Sequence, residues 1–250
     1  MKAILFTLAF LCLSGIAPTH AAPTPAAQET AADELKRLRE QAKQSKADPE
    51  PWREYAEALD RSGDRQEAVK AFAEAVERYV NLYGNPAPFR GQVVSKEEAA
   101  RNRADRAAQL RRAPETIERF IQLGGAPAGF EREQLEAFAA QARLLNEADA
   151  KRTVFNAADL DRKARILDKP APDFTDAGAT GVVRLRAVLA ADGKVKHVYV
   201  QRGVSRAMAE AGVKAARRIR FEPAVKDGKP VSQFIVLEYS FNTYVRGPIR

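Results

Sequence analysis

Apolar positions along this chain change period once. From Asp33 to Asn156 they recur at helical spacing almost throughout, and after residue 180 they alternate. The helical part is clearest in "ADPEPWREYAEALDRSGDRQEAVKAFAEAVERY" (47–79). Asp48 can cap a helix that has Pro49 at its first turn. Trp52, Tyr55, Ala56 and Leu59 share one face, Gly63 lies in a turn, and Ala68, Phe72 and Ala75 line the next helix. Small residues at 56, 68 and 75 let two antiparallel helices approach closely, with Trp52 and Phe72 filling the gaps beside them. Further helices are expected at about 33–45, 95–111, 114–123 and 130–150, broken by "YGNPAPFRGQ" (83–92) and "LGGAPAG" (123–129). Gly124-Gly125 follows a helix and reads as its stop.

Pro170 and Pro172 forbid a continuing helix, so 157–174 reads as a linker or extended lead. Beyond it, "GVVRLRAVLA" (181–190) alternates, with Val183, Leu185, Ala187 and Leu189 on one side and Arg184 and Arg186 on the other. Asp192-Gly193 is a hairpin signal, and "VKHVYVQRG" (195–203) alternates again. "SRAMAEAGVKAARRI" (205–219) predicts a helix capped by Ser205, whose narrow stripe of Met208, Ala211, Gly212, Ala215 and Ile219 suits close packing on a sheet. Phe221 should tuck under that helix. After the turn at Asp227-Gly228 and after Pro230, "VSQFIVLEYSFNTY" (231–244) is one long final strand. The fold class is therefore α+β: an N-terminal all-α helical-repeat domain, then a small β-β-α-β antiparallel-sheet domain.

The first residues change the picture of where this happens. "MKAILFTLAFLCLSGIAPTHAAP" has one Lys, an apolar run from Ala3 to Ala17 and a small-residue cleavage pattern. A signal peptide over 1–21 is expected, cut after Ala21, followed by a flexible lead-in over 22–32. The expected location is the periplasm. Cys12 is the single cysteine, so the cleaved chain would hold no thiol for a disulfide, a metal or nucleophilic work. Export also argues against nucleic acid as a partner. Charge is uneven: residues 163–250 carry 17 Lys/Arg against 8 Asp/Glu, while residues 1–162 carry 24 against 25. A basic C-terminal third favours anionic partners, and Arg184, Arg186, Arg206, Lys214, Arg217 and Arg218 are its candidate basic surface. The Arg-rich helix at 95–112 reads as solvated, with charge pairs of its own.

No constellation for catalysis emerges. His197 would be the one histidine left after cleavage, and no carboxylate or second histidine is spaced to serve it as a base or metal ligand. Ser205 has no local partner for nucleophilic attack, and no Gly-rich phosphate loop follows a strand. Asp159 and Asp161 fall in the linker, where a solvated pair is expected. The expectation is a protein that is not an enzyme, with no cofactor, no metal and no small-molecule substrate.

Two resemblances follow from the residues quoted. Residues 48 to about 79 resemble one tetratricopeptide repeat, with Val80 where the repeat usually has proline. Gly181-Val182-Val183-Arg184-Leu185, Asp192-Gly193, the run from Ala215 to Ala224 and Asp227-Gly228-Lys229-Pro230-Val231 resemble the C-terminal domain of TonB-family energy transducers, over about 165–243. The domain itself is bounded here as 175–245, after an α-helical region at 33–156. The resemblance implies that the last strand is a docking edge for a short segment, the TonB box, of an outer-membrane transporter or another envelope protein. The docking residues would be Val231, Ser232, Gln233, Phe234, Ile235, Val236, Leu237, Glu238, Tyr239, Ser240 and Phe241. Main-chain hydrogen bonds would supply the affinity. "PDFTDAGATG" departs from the family at Phe174-Thr175, where Tyr-Pro is usual. The competing expectation is a structural envelope protein whose basic domain binds peptidoglycan or anionic lipid head groups.

Overall fold

A computed structural model describes residues 25–84, 95–175, 179–203 and 205–242. The expected signal peptide, most of the 83–92 loop and the last two residues of the expected final strand lie outside these. No helix among the described residues is long and apolar enough to cross a membrane.

Six helices come first: α1 (Pro25–Gln44), α2 (Glu50–Ser62), α3 (Arg65–Gly84), α4 (Lys96–Gln109), α5 (Ala113–Gln122) and α6 (Phe130–Leu145). The first begins at Pro25, inside the stretch expected to be a flexible lead-in; its Leu38 and Ala42 are buried, so the helix has a packed face to propagate from. The Asp48 carboxylate accepts the Glu50 N–H at 3.0 Å and opens α2. Gly63 closes it at φ 86°, a left-handed turn that favours glycine. Ala56 and Leu59 meet Ala68, Phe72 and Val76 in one core, as the small-residue faces predict. Arg119 grips Asp60 through two hydrogen bonds of 2.6 and 2.8 Å and ties α5 to α2.

The second part is a sheet in the order β1-β7-β3-β4, from β1 (Val154–Phe155), β3 (Thr180–Leu189), β4 (Val195–Arg202) and β7 (Lys229–Asn242). Helix α7 (Arg206–Arg217) covers one face, and β6 (Ala224–Lys226) forms a hairpin with the start of β7. The expected linker holds a strand, β2 (Arg165–Asp168), paired antiparallel with β5 (Arg220–Glu222). Ser205 accepts the Met208 N–H at 3.2 Å, the expected cap. Val183, Leu185, Ala187 and Leu189 are fully buried beneath α7 with Phe221, Leu237, Tyr239 and Phe241. Gly212 is where helix and sheet come closest: a Cβ there would stand 3.3 Å from Val183 Cγ1.

The two parts share a core rather than hanging on a linker. Tyr83 of α3, Phe138 of α6 and Tyr199 of β4 form a three-ring cluster with centroids 4.8 to 5.4 Å apart. Helix α6 lies along β4. The Gln134 side-chain amide donates to the Val198 carbonyl at 3.3 Å and accepts the Val200 N–H at 2.8 Å, so it finishes that edge as a strand would. A bulge in β4, with His197 at φ 49°, breaks the β3–β4 ladder between Arg186 and Val188. Gln141, fully buried, fills the break by donating to the carbonyls of Arg186 (3.0 Å) and His197 (2.5 Å) and accepting the Tyr83 hydroxyl.

A candidate partner-strand edge

The final strand runs antiparallel to β3 without a bulge, from Leu189↔Gln233 to Thr180↔Asn242. Its residues alternate as expected: Leu237, Tyr239 and Phe241 are buried under α7, while Val236, Glu238 and Ser240 are exposed on the opposite face. Phe234, on that opposite face, is instead covered by the helical part, where it clusters with Val154 and Val188 beside Leu144 and Leu145.

The edge away from β3 is only partly free. Strand β1 pairs parallel with it at Val154↔Ser232 and Phe155↔Gln233. Val231 pairs with Ala224 in the β6 hairpin. Val231, Ser232 and Gln233 must therefore be removed from the expected docking set, because the chain's own backbone pairs with them. The turn at Asp227-Gly228 (φ 50° and 71°) closes that hairpin and does not mark where the edge begins. From Phe234 to Asn242 no described strand pairs on the side away from β3.

The chain on either side of β2 runs beside this stretch and is held through side chains. Ala164 N–H donates to Gln233 Oε1 at 2.7 Å, Lys169 Nζ donates to the Glu238 carbonyl at 2.7 Å, and Phe174 packs edge-on against Phe241. Lys169 also sits 4.6 Å above the Tyr239 ring. Pro170 and Pro172 have no N–H to offer a ladder, so a segment that follows the edge does not pair with it.

Half of the expected basic surface is neutralised. Arg184 pairs with Glu238, Arg206 with Glu131 and Glu210, and Arg217 with Glu133. Arg218 donates to the Ala171 carbonyl. Arg186 is not a surface group: its guanidinium stacks 4.5 Å from the Phe234 ring and 5.4 Å from the Tyr83 ring. Lys214 and Arg218 stay exposed without an ion pair among the described residues. The sequence carried the right charges, but two of their partners, Glu131 and Glu133, come from α6, far away in the chain.

His197 is exposed in the bulge, and burial of part of its ring, with Lys196 beside it, lowers its pKa. No described group of three or more His, Cys, Asp or Glu could hold a metal ion. Lys169, Gln134 and Gln141 were not singled out from sequence. A signal existed for the last two: Gln134, Phe138 and Gln141 lie at i, i+4 and i+7, so two amides occupy an apolar face.

Residues 175–243 match the family described as the Gram-negative bacterial TonB protein C-terminal. The TonB C-terminal match covers well under half of the 250 residues and spans β3, β4, α7, β5, β6 and β7. Comparison with curated proteins finds no match. The TonB C-terminal family is a non-enzymatic transducer and interaction domain, and the match supports an envelope protein that works through protein interaction. The likeness of 48–79 to a tetratricopeptide repeat rests on the α2–α3 pair alone.

Proposed function

We propose that the TonB C-terminal-like domain docks an extended segment of an envelope partner, the TonB box of an outer-membrane transporter being the expected one, along residues 234–242 of β7. The observation that carries this reading is the stretch of strand edge that no described strand fills. Such an edge offers N–H and C=O groups in register, and strand addition uses them with little demand on sequence. Exposed Val236 and Ser240 flank the Arg184–Glu238 pair on the adjoining face and would contact alternate side chains of the guest. The chain acts in the periplasm on this reading, after removal of its first 21 residues.

Attachment to anionic peptidoglycan or lipid through the basic domain has weaker support, since three of the six cations it would use, Arg184, Arg206 and Arg217, already hold carboxylates and Arg186 is stacked between aromatic rings. The experiment is site-specific photo-cross-linking from Val236 and Ser240 in the full chain, with Lys214 on α7 as a control position. A transporter cross-linked from the two strand positions but not from Lys214 supports docking. Cell-wall fragments alone, or equal yields from all three positions, overturn it.

A further inference from the structure

Away from the sheet, the helical part holds two adjoining cavities of about 720 and 460 Å³. Both are lined by Ala47, Leu82 and Gln109, so they form one groove between the α1–α2 turn, the end of α3 and the end of α4. Each is in the size range that holds a small ligand. Six cations line this groove: Lys46, Arg78 and Arg106 toward one end, Arg53, Arg111 and Arg112 toward the other.

Three of them already have partners. Arg53 holds Glu50 and Glu57, Arg78 holds Glu74, and Arg112 holds Glu115. Lys46, Arg106 and Arg111 have no carboxylate among the described residues. Arg78 keeps one further donor idle: its Nε is buried without a hydrogen-bond partner. The acids that line the groove are occupied, Asp48 by the Glu50 N–H and Glu50 by Arg53 and the Tyr79 hydroxyl. Arg106 is half-buried, and its pKa is lowered by burial first and then by the neighbouring Arg186 charge. Arg186 stacks on the Tyr83 and Phe234 rings and has no ion pair among the described residues. Two cations thus repel each other beside a groove whose own carboxylates, Asp48 and Glu50, are already engaged.

We infer that this groove binds an acidic peptide segment of a second envelope protein. The distribution of charge selects a peptide over a free phosphate. The cations are spread along two cavities instead of converging on one point. The N-terminus of α2, which opens into the groove and could cradle a phosphate, is already capped by Asp48. The apolar floor of Ala47, Leu82 and Ala108 suits small side chains between the carboxylates. The helical part would then hold one partner while the strand edge holds another, and either site can fail without the other.

The test is fluorescence anisotropy on the full chain with a labelled peptide of alternating Glu and Ala, against a Gln/Ala peptide and inorganic phosphate. Saturable binding of the acidic peptide is expected, weakened about tenfold by Arg106→Gln combined with Arg111→Gln. Lys46→Gln, in an exposed turn where folding is not at stake, should weaken it in the same direction. Lys163→Gln, exposed outside the groove, should leave it unchanged. Three results would each overturn the inference: equal binding of the Gln/Ala peptide, unaltered binding by the groove variants with their helical circular dichroism intact, or full displacement by equimolar phosphate.

Discussion

Replacing Gln141 by leucine should uncouple the two halves of the molecule. The side chain is fully buried and makes three hydrogen bonds, two as donor to the carbonyls of Arg186 and His197 and one as acceptor from the Tyr83 hydroxyl. Leucine has a similar volume, so little packing is lost and no cavity forms. What is lost is polar satisfaction in the place where the β4 bulge has broken the ladder. A buried group left without its partner costs about 1 to 3 kcal/mol. Three groups lose their partner: the carbonyls of Arg186 and His197 and the Tyr83 hydroxyl. The expected cost is roughly 3 kcal/mol. Urea unfolding followed by Trp52 fluorescence and by far-ultraviolet circular dichroism measures it, because Trp52 is the single tryptophan and sits in the helical part. With a slope of about 1 to 3 kcal/mol per molar urea, the midpoint should fall by at least about 1 M. Tyr83→Phe added to the leucine variant should cost less than the two changes summed, since it removes the orphaned hydroxyl. A loss below about 0.5 kcal/mol, the range of an ordinary surface substitution, would refute the claim that this amide joins helix to sheet.

Three further outcomes are expected. Gly212→Leu should destabilise the sheet domain by about 1 to 3 kcal/mol, because even a Cβ stands 3.3 Å from Val183; a thermal melt of the variant checks it. Tyr199→Ala should cost about 3 to 5 kcal/mol by emptying the three-ring cluster, read as a lowered urea midpoint. Hydrogen bonds from Arg119 hold the Asp60 carboxyl below its usual pKa despite partial burial. A depressed carboxylate stabilises the fold above its unfolded value near about 3.9, and the contribution fades as pH falls through the folded value. Asp60→Asn should therefore weaken the helical part at neutral pH and leave the two proteins alike at the lowest pH, measured by acid titration of helical circular dichroism.

Much of the architecture was legible in local pattern. The change of period near residue 170, the caps at Asp48 and Ser205 and the Asp192-Gly193 turn each express a short-range preference, and each is seen in the fold. The small-residue stripe of α7 implied close packing on a sheet, and Gly212 lies against Val183. The family resemblance of the last third was carried by four short runs between Gly181 and Val231.

The neighbours of each surface were not legible, because hydrogen-bond and charge partners are set by distance in space. The final strand read as one free ribbon, yet Val154 and Phe155, nearly 80 positions earlier, claim its start. Arg206 and Arg217 read as a basic face, yet Glu131 and Glu133 of α6 neutralise them. The helical part counts as nearly neutral along the chain, yet folding gathers six cations in one groove. Periodicity determines which side of an element is apolar; only the packed chain decides what lies against it, since backbone and charged groups take whichever partner the fold brings within a few ångströms.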